Sequence, residues 1–366
     1  MTELERIARA ESALKRKLRA LIAEAQETQI KNPKRSLQCA DAALSLAQER
    51  EDWLKEKADA TLAKGNALYR LSDFANAISA FESARAFCQA LNDKQGVANA
   101  LNGMGNVYCD LANYARSLEH LRQSLALFEE LGDRASVART LNNIGNAQRN
   151  LADYANALES YQRSLAIKRE LGDKRGVAVS LGNVGIVYFC LADYASALKF
   201  YQQSLELYES LGDKRGVAIS LGNIGNVSLK LADYANALQS HQKSLALCQE
   251  LGDKRGVAME LGNIGSVYEK LADYPKALES YEQSLALSQE VGDKSGVAVA
   301  LGNLGLARYS FRRFDEALRN LTLTLEISQE IGAKRMEAET FLALGRCHAR
   351  RAQIASETND DVDKRP

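Results

Sequence analysis

Only three prolines and one tryptophan occur in 366 residues, and no Pro/Gly/Ser-rich stretch interrupts them. That length would ordinarily divide into two or three domains, so the missing linkers point to one elongated array. Scarce proline also leaves long stretches free to stay helical. Charge of one sign is missing too, since Lys plus Arg and Asp plus Glu both total 47. No net field then favours a nucleic-acid backbone or an anionic membrane surface. No window approaches the ~20 apolar residues of a membrane span, and the opening MTELERIARAESALKRKL lacks the apolar run of a signal peptide. Membrane insertion is not expected, and the expected location is cytoplasmic.

The six cysteines, Cys39, Cys88, Cys109, Cys190, Cys248 and Cys347, form no CxxC pair and read as reduced, small apolar fillers. His120, His241 and His348 lie in different parts of the chain without Cys or carboxylate partners at ligand spacing, so no metal site is expected. There is no phosphate-binding GxxxxGK[ST], no Ser/His/Asp set and no paired-carboxylate pocket. The sequence predicts no catalytic residues, no cofactor and no enzyme.

What the chain has is repetition. LGDKRGVAVSLGNVGIVYFCLADYASALKFYQQSLELYES (171–210) is followed by LGDKRGVAISLGNIGNVSLKLADYANALQSHQKSLALCQE (211–250), a period of 40 residues. Gly65, Gly105, Gly145, Gly185, Gly225, Gly265, Gly305 and Gly345 share one position. Within a unit Val177, Leu181, Val184, Tyr188 and Leu191 make one helical stripe, and Tyr194, Ala197, Leu198, Tyr201 and Leu205 make a second. Asp73, Asp153, Asp193, Asp233 and Asp273 sit where a second helix needs an N-cap. Gly172 suits a left-handed helix end and Asp173 the next cap. Each unit is therefore a pair of helices of about 18 residues that cannot cover both stripes alone, so stacking is required. The predicted fold is all-α, an α-solenoid of antiparallel helix pairs wound as a right-handed superhelix with a concave face of first helices.

Leu181, Gly185 and Tyr188 with Tyr194, Ala197 and Tyr201 resemble the tetratricopeptide signature, over about 50–350. Small Gly185 against small Ala197 would let two helices cross closely. Ser117 replaces the alanine in one unit, and Gln148, Ser228 and Arg308 replace the tyrosine in three. The long period is similar to that of Leu-Gly-Asn-rich polarity scaffolds, and to arrays attached to cyclase, diguanylate cyclase or kinase domains in bacterial signalling proteins. The resemblance implies a protein- or peptide-binding scaffold or adaptor active in signal transduction, with a guest segment held in the concave groove. Two alternatives stay open: the regulatory or sensory region of a signalling protein lacking its catalytic domain, and a self-assembling structural repeat protein.

In the family the groove is built from first-helix residues six and three before the glycine and one, four and five after it. Here these offsets share one helical face. They give a polar ladder that includes Asn66, Asn99, Asn102, Asn106, Arg139, Asn142, Asn146, Arg149 and Asn150. Asparagine is a poor helix former, yet seven line this wall, and a carboxamide offers both donors and an acceptor to a peptide backbone. The alternative is that they are common in the repeat and face solvent. The middle units turn apolar and glycine-pitted, with Val179, Ile186, Phe189, Ile219, Asn226 and Leu229 beside Gly182, Gly222 and Gly262. Asn143, Asn183, Asn223, Asn263 and Asn303 lie off the groove and are expected to bond a neighbouring helix.

The expected division is an N-terminal capping pair at 1–53, seven units at 54–332, a capping helix at 333–354 and a disordered tail at 355–366. Phe341, Leu342 and Leu344 of the last helix depend on the seventh unit for cover. Self-association remains open.

Overall fold

A left-handed residue followed by a capping side chain stops and restarts the helix every twenty residues. In the computed structural model, α3 to α16 are each 17 residues long and separated by three-residue turns. The structure describes residues 3–48 and 50–362, with side chains described for 9 and 11–353 apart from 10 and 49. Among the described residues there are 17 α-helices, one 3-10 turn and no strand. Two compact units, 1–187 and 188–366, divide the chain.

The first unit holds α1 (Glu3–Thr28), α2 (Pro33–Ala47), a 3-10 turn (Glu51–Trp53), α3 (Leu54–Arg70), α4 (Phe74–Ala90), α5 (Lys94–Asp110), α6 (Tyr114–Glu130), α7 (Arg134–Asn150), α8 (Tyr154–Glu170) and most of α9 (Lys174–Cys190). The second holds α10 (Tyr194–Ser210), α11 (Lys214–Lys230), α12 (Tyr234–Glu250), α13 (Lys254–Lys270), α14 (Tyr274–Glu290), α15 (Lys294–Ser310), α16 (Phe314–Glu330) and α17 (Lys334–Val362). Within each unit consecutive helices pack on one another and first-type helices also touch the next first-type helix, which is the stacking of an α-solenoid.

Two turn types alternate. Leu-Gly-Asp places Gly132, Gly172, Gly212 and Gly252, and Val-Gly-Asp places Gly292, at φ between 63° and 69°. Leu-Ala-Asp places alanine in the same region, with φ 60° at Ala152 and 59° at Ala192. The Ala192 amide donates to Phe189 O and the Asp193 amide to Tyr188 O, closing the helix end at both carbonyls. The following Asp accepts from the amide three residues on: Asp73 from Asn76, Asp193 from Ser196, Asp233 from Asn236 and Asp273 from Lys276. Asp153 makes no such backbone bond and receives the Asn156 side chain at 2.7 Å.

The shared glycine is a notch roofed by a large side chain of the second helix. A Cβ on Gly65, Gly145 or Gly265 would stand 2.6–2.7 Å from the rings of Phe81, Tyr161 and Tyr281. On Gly105 and Gly305 it would also approach the carbonyls of Ser117 and Ala317 within 3.3–3.4 Å, so the small residue opposite does admit a close crossing. A serine three residues beyond the roof then ties the pair: Ser124, Ser164, Ser244 and Ser284 donate to the carbonyls of Ala98, Ala138, Ala218 and Ala258 at 2.7–2.9 Å. Two of the tyrosine replacements carry their own repair, as Ser160 donates to Gln148 at 2.7 Å and Arg308 bridges Glu282 and Glu316.

Two expectations change at the C-terminal end. α17 runs on to Val362, so 355–362 continue a helix rather than a structureless tail, and 363–366 lie outside the described residues. Phe341 and Leu342 are 51% and 68% exposed, because α16 covers only the opposite side of α17. Leu191, counted with the first apolar stripe, is likewise exposed, as are Leu111, Leu151 and Leu231 at the same place in other units, each at a helix-ending turn.

Candidate groove faces of the two units

In the first unit α3, α5 and α7 carry the predicted polar ladder. One cleft of about 530 Å³ is lined by Asn66, Asn99, Asn102, Asn106 and Arg139. A second, about 560 Å³, shares Asn102, Asn106 and Arg139 and adds Asn146, Arg149 and Asn150. Gln26 of α1 and Gln29 and Ile30 in the turn after it also line the first cleft. They escaped the repeat-based reading because this segment lies outside the repeating frame, and only the amides of the two glutamines could have signalled it.

The carboxamides fall into two groups. Asn102 is buried and committed: its Nδ2 donates to Thr140 Oγ1 at 2.9 Å while its Oδ1 accepts from Asn143 at 3.2 Å and from Asn106 at 3.4 Å. Asn142 accepts from Asn183 at 3.0 Å and Asn146 accepts the Tyr161 hydroxyl at 2.8 Å. Asn150 reaches Cys109 Sγ at 3.7 Å. Asn66 and Asn99, half-buried, make no side-chain hydrogen bond. Arg139 donates to Ser136 Oγ and Arg149 to Asn150 Oδ1, at 3.0 and 3.1 Å, and neither makes a salt bridge. A guanidinium that makes no salt bridge can take a guest carboxylate with two parallel bonds. Beneath this wall burial and the neighbouring Asp110 push the Tyr69 phenol up, keeping it a protonated donor. Val179 is exposed and Ile186 half-buried, both on α9.

The expected inter-helix ties form at Asn143 and Asn183, each to an asparagine 41 residues earlier. Counting back 41 from Asn223, Asn263 and Asn303 reaches Gly182, Gly222 and Gly262, which have no acceptor side chain. Asn263 turns instead to Glu260 of its own helix at 3.3 Å.

Glu260 organises the second unit. It is buried at a position that is Ala, Thr or Ser in the other units. Its Oε2 lies 2.8 Å from His241 Nδ1, and its Oε1 accepts from Ser244 at 3.0 Å. A Cβ on Gly222 would stand 2.5 Å from that same Oε1. His241, expected to lack a carboxylate partner, therefore has one, 19 residues on and across a helix interface. Its ring roofs Gly225 where other units use tyrosine, phenylalanine or leucine, and its Nε2 is buried without a partner. Among the described residues no three metal-capable side chains converge.

In the second unit α13, α15 and α17 line two adjoining clefts. A cleft of about 440 Å³ runs past Met259, Gly262, Asn263, Val299 and Asn303. An adjoining one of about 370 Å³ shares Val299 and Asn303 and reaches Gly302, Leu306 and Ala343. Of the predicted residues here, Ile219 is exposed, while Phe189, Asn226 and Leu229 are half-buried and line neither cleft.

The family profile of the tetratricopeptide repeat matches residues 56–130, 136–210, 216–290 and 256–330. The chain belongs to the tetratricopeptide repeat family. Its helix pairs, notch glycines and roofing aromatics are thus those of tetratricopeptide units lengthened to forty residues. No curated protein sequence matches it. Among solved structures, the apo form of RapI is 18% identical with a TM-score of 0.62, covering 76% of this chain and 99% of that one. A Rap protein complexed with competence and sporulation factor is 15% identical with a TM-score of 0.61, covering 92% and 99%. A signal-transduction ATPase with a tetratricopeptide repeat sensor from Pyrococcus horikoshii is 15% identical at a TM-score of 0.61, covering 89% of this chain and 55% of that one. These likenesses are of fold. Among the described residues no helix is long and apolar enough to cross a membrane.

Proposed function

We propose that this tetratricopeptide array is a non-catalytic scaffold whose first-unit groove face holds an extended, carboxylate-bearing peptide segment of a partner protein. One observation carries the reading: among the described residues Arg139 and Arg149 make no salt bridge, on a wall of carboxamides where Asn66 and Asn99 form no side-chain hydrogen bond. Carboxamides match the alternating donors and acceptors of an extended backbone, and the guanidinium groups supply the anchor. The apolar clefts of the second unit suit a guest's hydrophobic side chains. The solved Rap protein carrying competence and sporulation factor supports the reading as a fold neighbour that holds a ligand. The six free thiols support a reducing, cytoplasmic setting.

The test is selection of peptides from a random display library on the intact chain and on Arg139→Glu with Asn99→Ala, two outward residues that hold no neighbouring helix. Acidic peptides retained by the intact chain should bind the variant at least about tenfold more weakly, the loss expected when one charged contact reverses. Equal binding by both chains would remove the site from this wall.

A second reading, the sensory region of a larger signalling protein, draws on the Pyrococcus horikoshii ATPase, in which a tetratricopeptide repeat sensor is one part of a longer chain. A reading frame continuing into a nucleotide-binding or catalytic domain would decide for it.

A further inference from the structure

One step between first-type helices is left unfilled. Elsewhere the residue three before a notch glycine meets the residue five before the next one: Asn102 bonds Thr140, and the Glu260 carboxylate fills the space over Gly222. At the step from α13 to α15 both positions are small, Gly262 and Ala300, and a Cβ on Gly262 would meet only Ser284 Oγ, at 3.5 Å. A second filler is missing at the same place. Near the end of each second-type helix one side chain packs under the start of the next first-type helix. Phe128 does so against Val137, Lys168 beneath Gly176 and Tyr208 with its ring against Gly216. Cysteine takes the place at Cys88 and Cys248, and α14 offers only Ser288, beside Gly296. The two omissions coincide in the cleft of about 440 Å³, which reaches down to Ser284 and Ser288 of α14. That volume lies within the range of small-ligand sites.

The cleft runs from an apolar interior to a cationic mouth. Met259 and Val299 are its exposed walls. Ser288 is only 2% exposed, yet its hydroxyl makes no hydrogen bond among the described residues, and neither does the carboxamide of Asn303. At the mouth Asp253 accepts from the Gly256 amide and from Arg215 Nη2 at 2.9 Å, and Asp293 accepts from the Gly296 amide and from Arg255 Nε at 2.8 Å. Both carboxylates are therefore spent on the protein itself. Each guanidinium keeps donors in reserve, since Nη1 of Arg215 and of Arg255 makes no bond or ion pair among the described residues.

We propose that this cleft binds a small aryl carboxylate. Its ring lies over Gly262 and Ser288, in the space that a phenylalanine or tyrosine ring fills at other steps, and its carboxylate lies on the guanidinium groups of Arg215 and Arg255. Ser288 and Asn303 supply hydrogen bonds to a polar substituent on the ring. The site is built wholly within the second unit and goes beyond the peptide-binding reading of the first.

Ligand-detected NMR titration of the full chain with 3-phenylpropionate should give a dissociation constant of about 0.1–1 mM, the strength expected of so few atoms. 3-Phenylpropionamide keeps the ring and loses the charge, and should bind at least about tenfold more weakly. Ser288→Tyr restores the pairing of Tyr208 with Gly216, so it should abolish binding while the thermal unfolding temperature stays at or above the parent's. Arg255→Gln, a change at the exposed mouth, should weaken the acid about tenfold and leave the amide as it was. No binding of the acid by about 10 mM overturns the proposal, as does equal binding of acid and amide or a folded Ser288→Tyr chain that still binds. Acetyl-Gly-Gly-Phe carries the same ring and carboxylate on a chain end, and binding about tenfold tighter than the free acid would give the cleft to protein C-termini instead. The chain carrying Arg139→Glu with Asn99→Ala should bind 3-phenylpropionate unchanged, so this site and peptide binding by the first unit fail separately.

Discussion

The first and second units solve the same stacking problem with different polar parts. From α5 to α9 an asparagine three residues before the notch glycine reaches the next first-type helix: Asn102 holds Thr140 and Asn143, and Asn142 holds Asn183. From α11 to α15 that position is glycine, and a buried carboxylate, Glu260, occupies the space over Gly222. The serine-to-carbonyl ties persist in both units, with Ser124 and Ser164 in one and Ser244 and Ser284 in the other. The Asp caps persist likewise. Shape and backbone bonds therefore set the stacking, while the polar material between first helices is exchangeable provided the buried carboxamide or carboxylate finds partners.

The sharpest way to break the comparison is Glu260→Ala. It strands His241 in the core, leaves Ser244 only its bond to the Ala218 carbonyl and opens a cavity over Gly222, so it should cost about 3 kcal/mol. Native-state hydrogen exchange should place the loss in α11 to α13. Restoring the common residues in a double variant, His241→Tyr with Glu260→Ser, should return stability to within about 1 kcal/mol of the parent, because tyrosine again roofs Gly225 and no charge needs partners. Persistent instability of the double variant would mean that the carboxylate is required by this geometry.

A smaller effect separates the asparagines. Asn102→Ala unties Thr140 and Asn143 at once and should cost about 2 kcal/mol, whereas Asn303→Ala, at a position without an inter-helix bond, should change stability by less than about 0.5 kcal/mol. Urea denaturation followed at several probes would read both, and equal costs would contradict the division into tied and free amides.

The smallest effect should be common to both units. Burial opposes ionisation of Asp93, but the Lys55 ammonium and the Gly96 amide hold its carboxyl below the usual carboxylate range. At Asp253 burial again opposes, and the Gly256 amide and Arg215 lower it. A depressed folded pKa contributes stability that is present above the unfolded value of about 4 and is lost as pH falls through the folded one. Both units should therefore weaken together below about pH 4, and a unit that resists acid would show that its caps contribute little.

Much of this was legible in the residues. The forty-residue period, the paired helices, the Leu-Gly-Asp turns and the role of Asn143 and Asn183 follow from local chemistry repeated in register. The Leu-Ala-Asp turns were harder, because alanine at φ near 60° is a conformation that L side chains resist. Their alignment with Leu-Gly-Asp one half-period away was the available signal. The His241 and Glu260 pair was hidden because each residue looks like an isolated departure from its own column, and only helix packing joins them. Asn102 and Asn146 show the limit for the groove: sequence spacing puts a carboxamide on the right face, but only the neighbouring helix decides whether it is already bonded.

The alternating turns also bear on how such a chain can change in length. Seventeen helical residues and three in the turn give both halves of a unit the same span, and from α3 to α17 each junction has a left-handed residue, most of them followed by an acidic cap. Misaligned recombination between any two copies in the gene would therefore join compatible ends and leave no frayed seam. Gain or loss of whole repeats is the mutation this architecture tolerates most readily, and the 25 identities in 40 positions between 171–210 and 211–250 are what copying of whole units leaves.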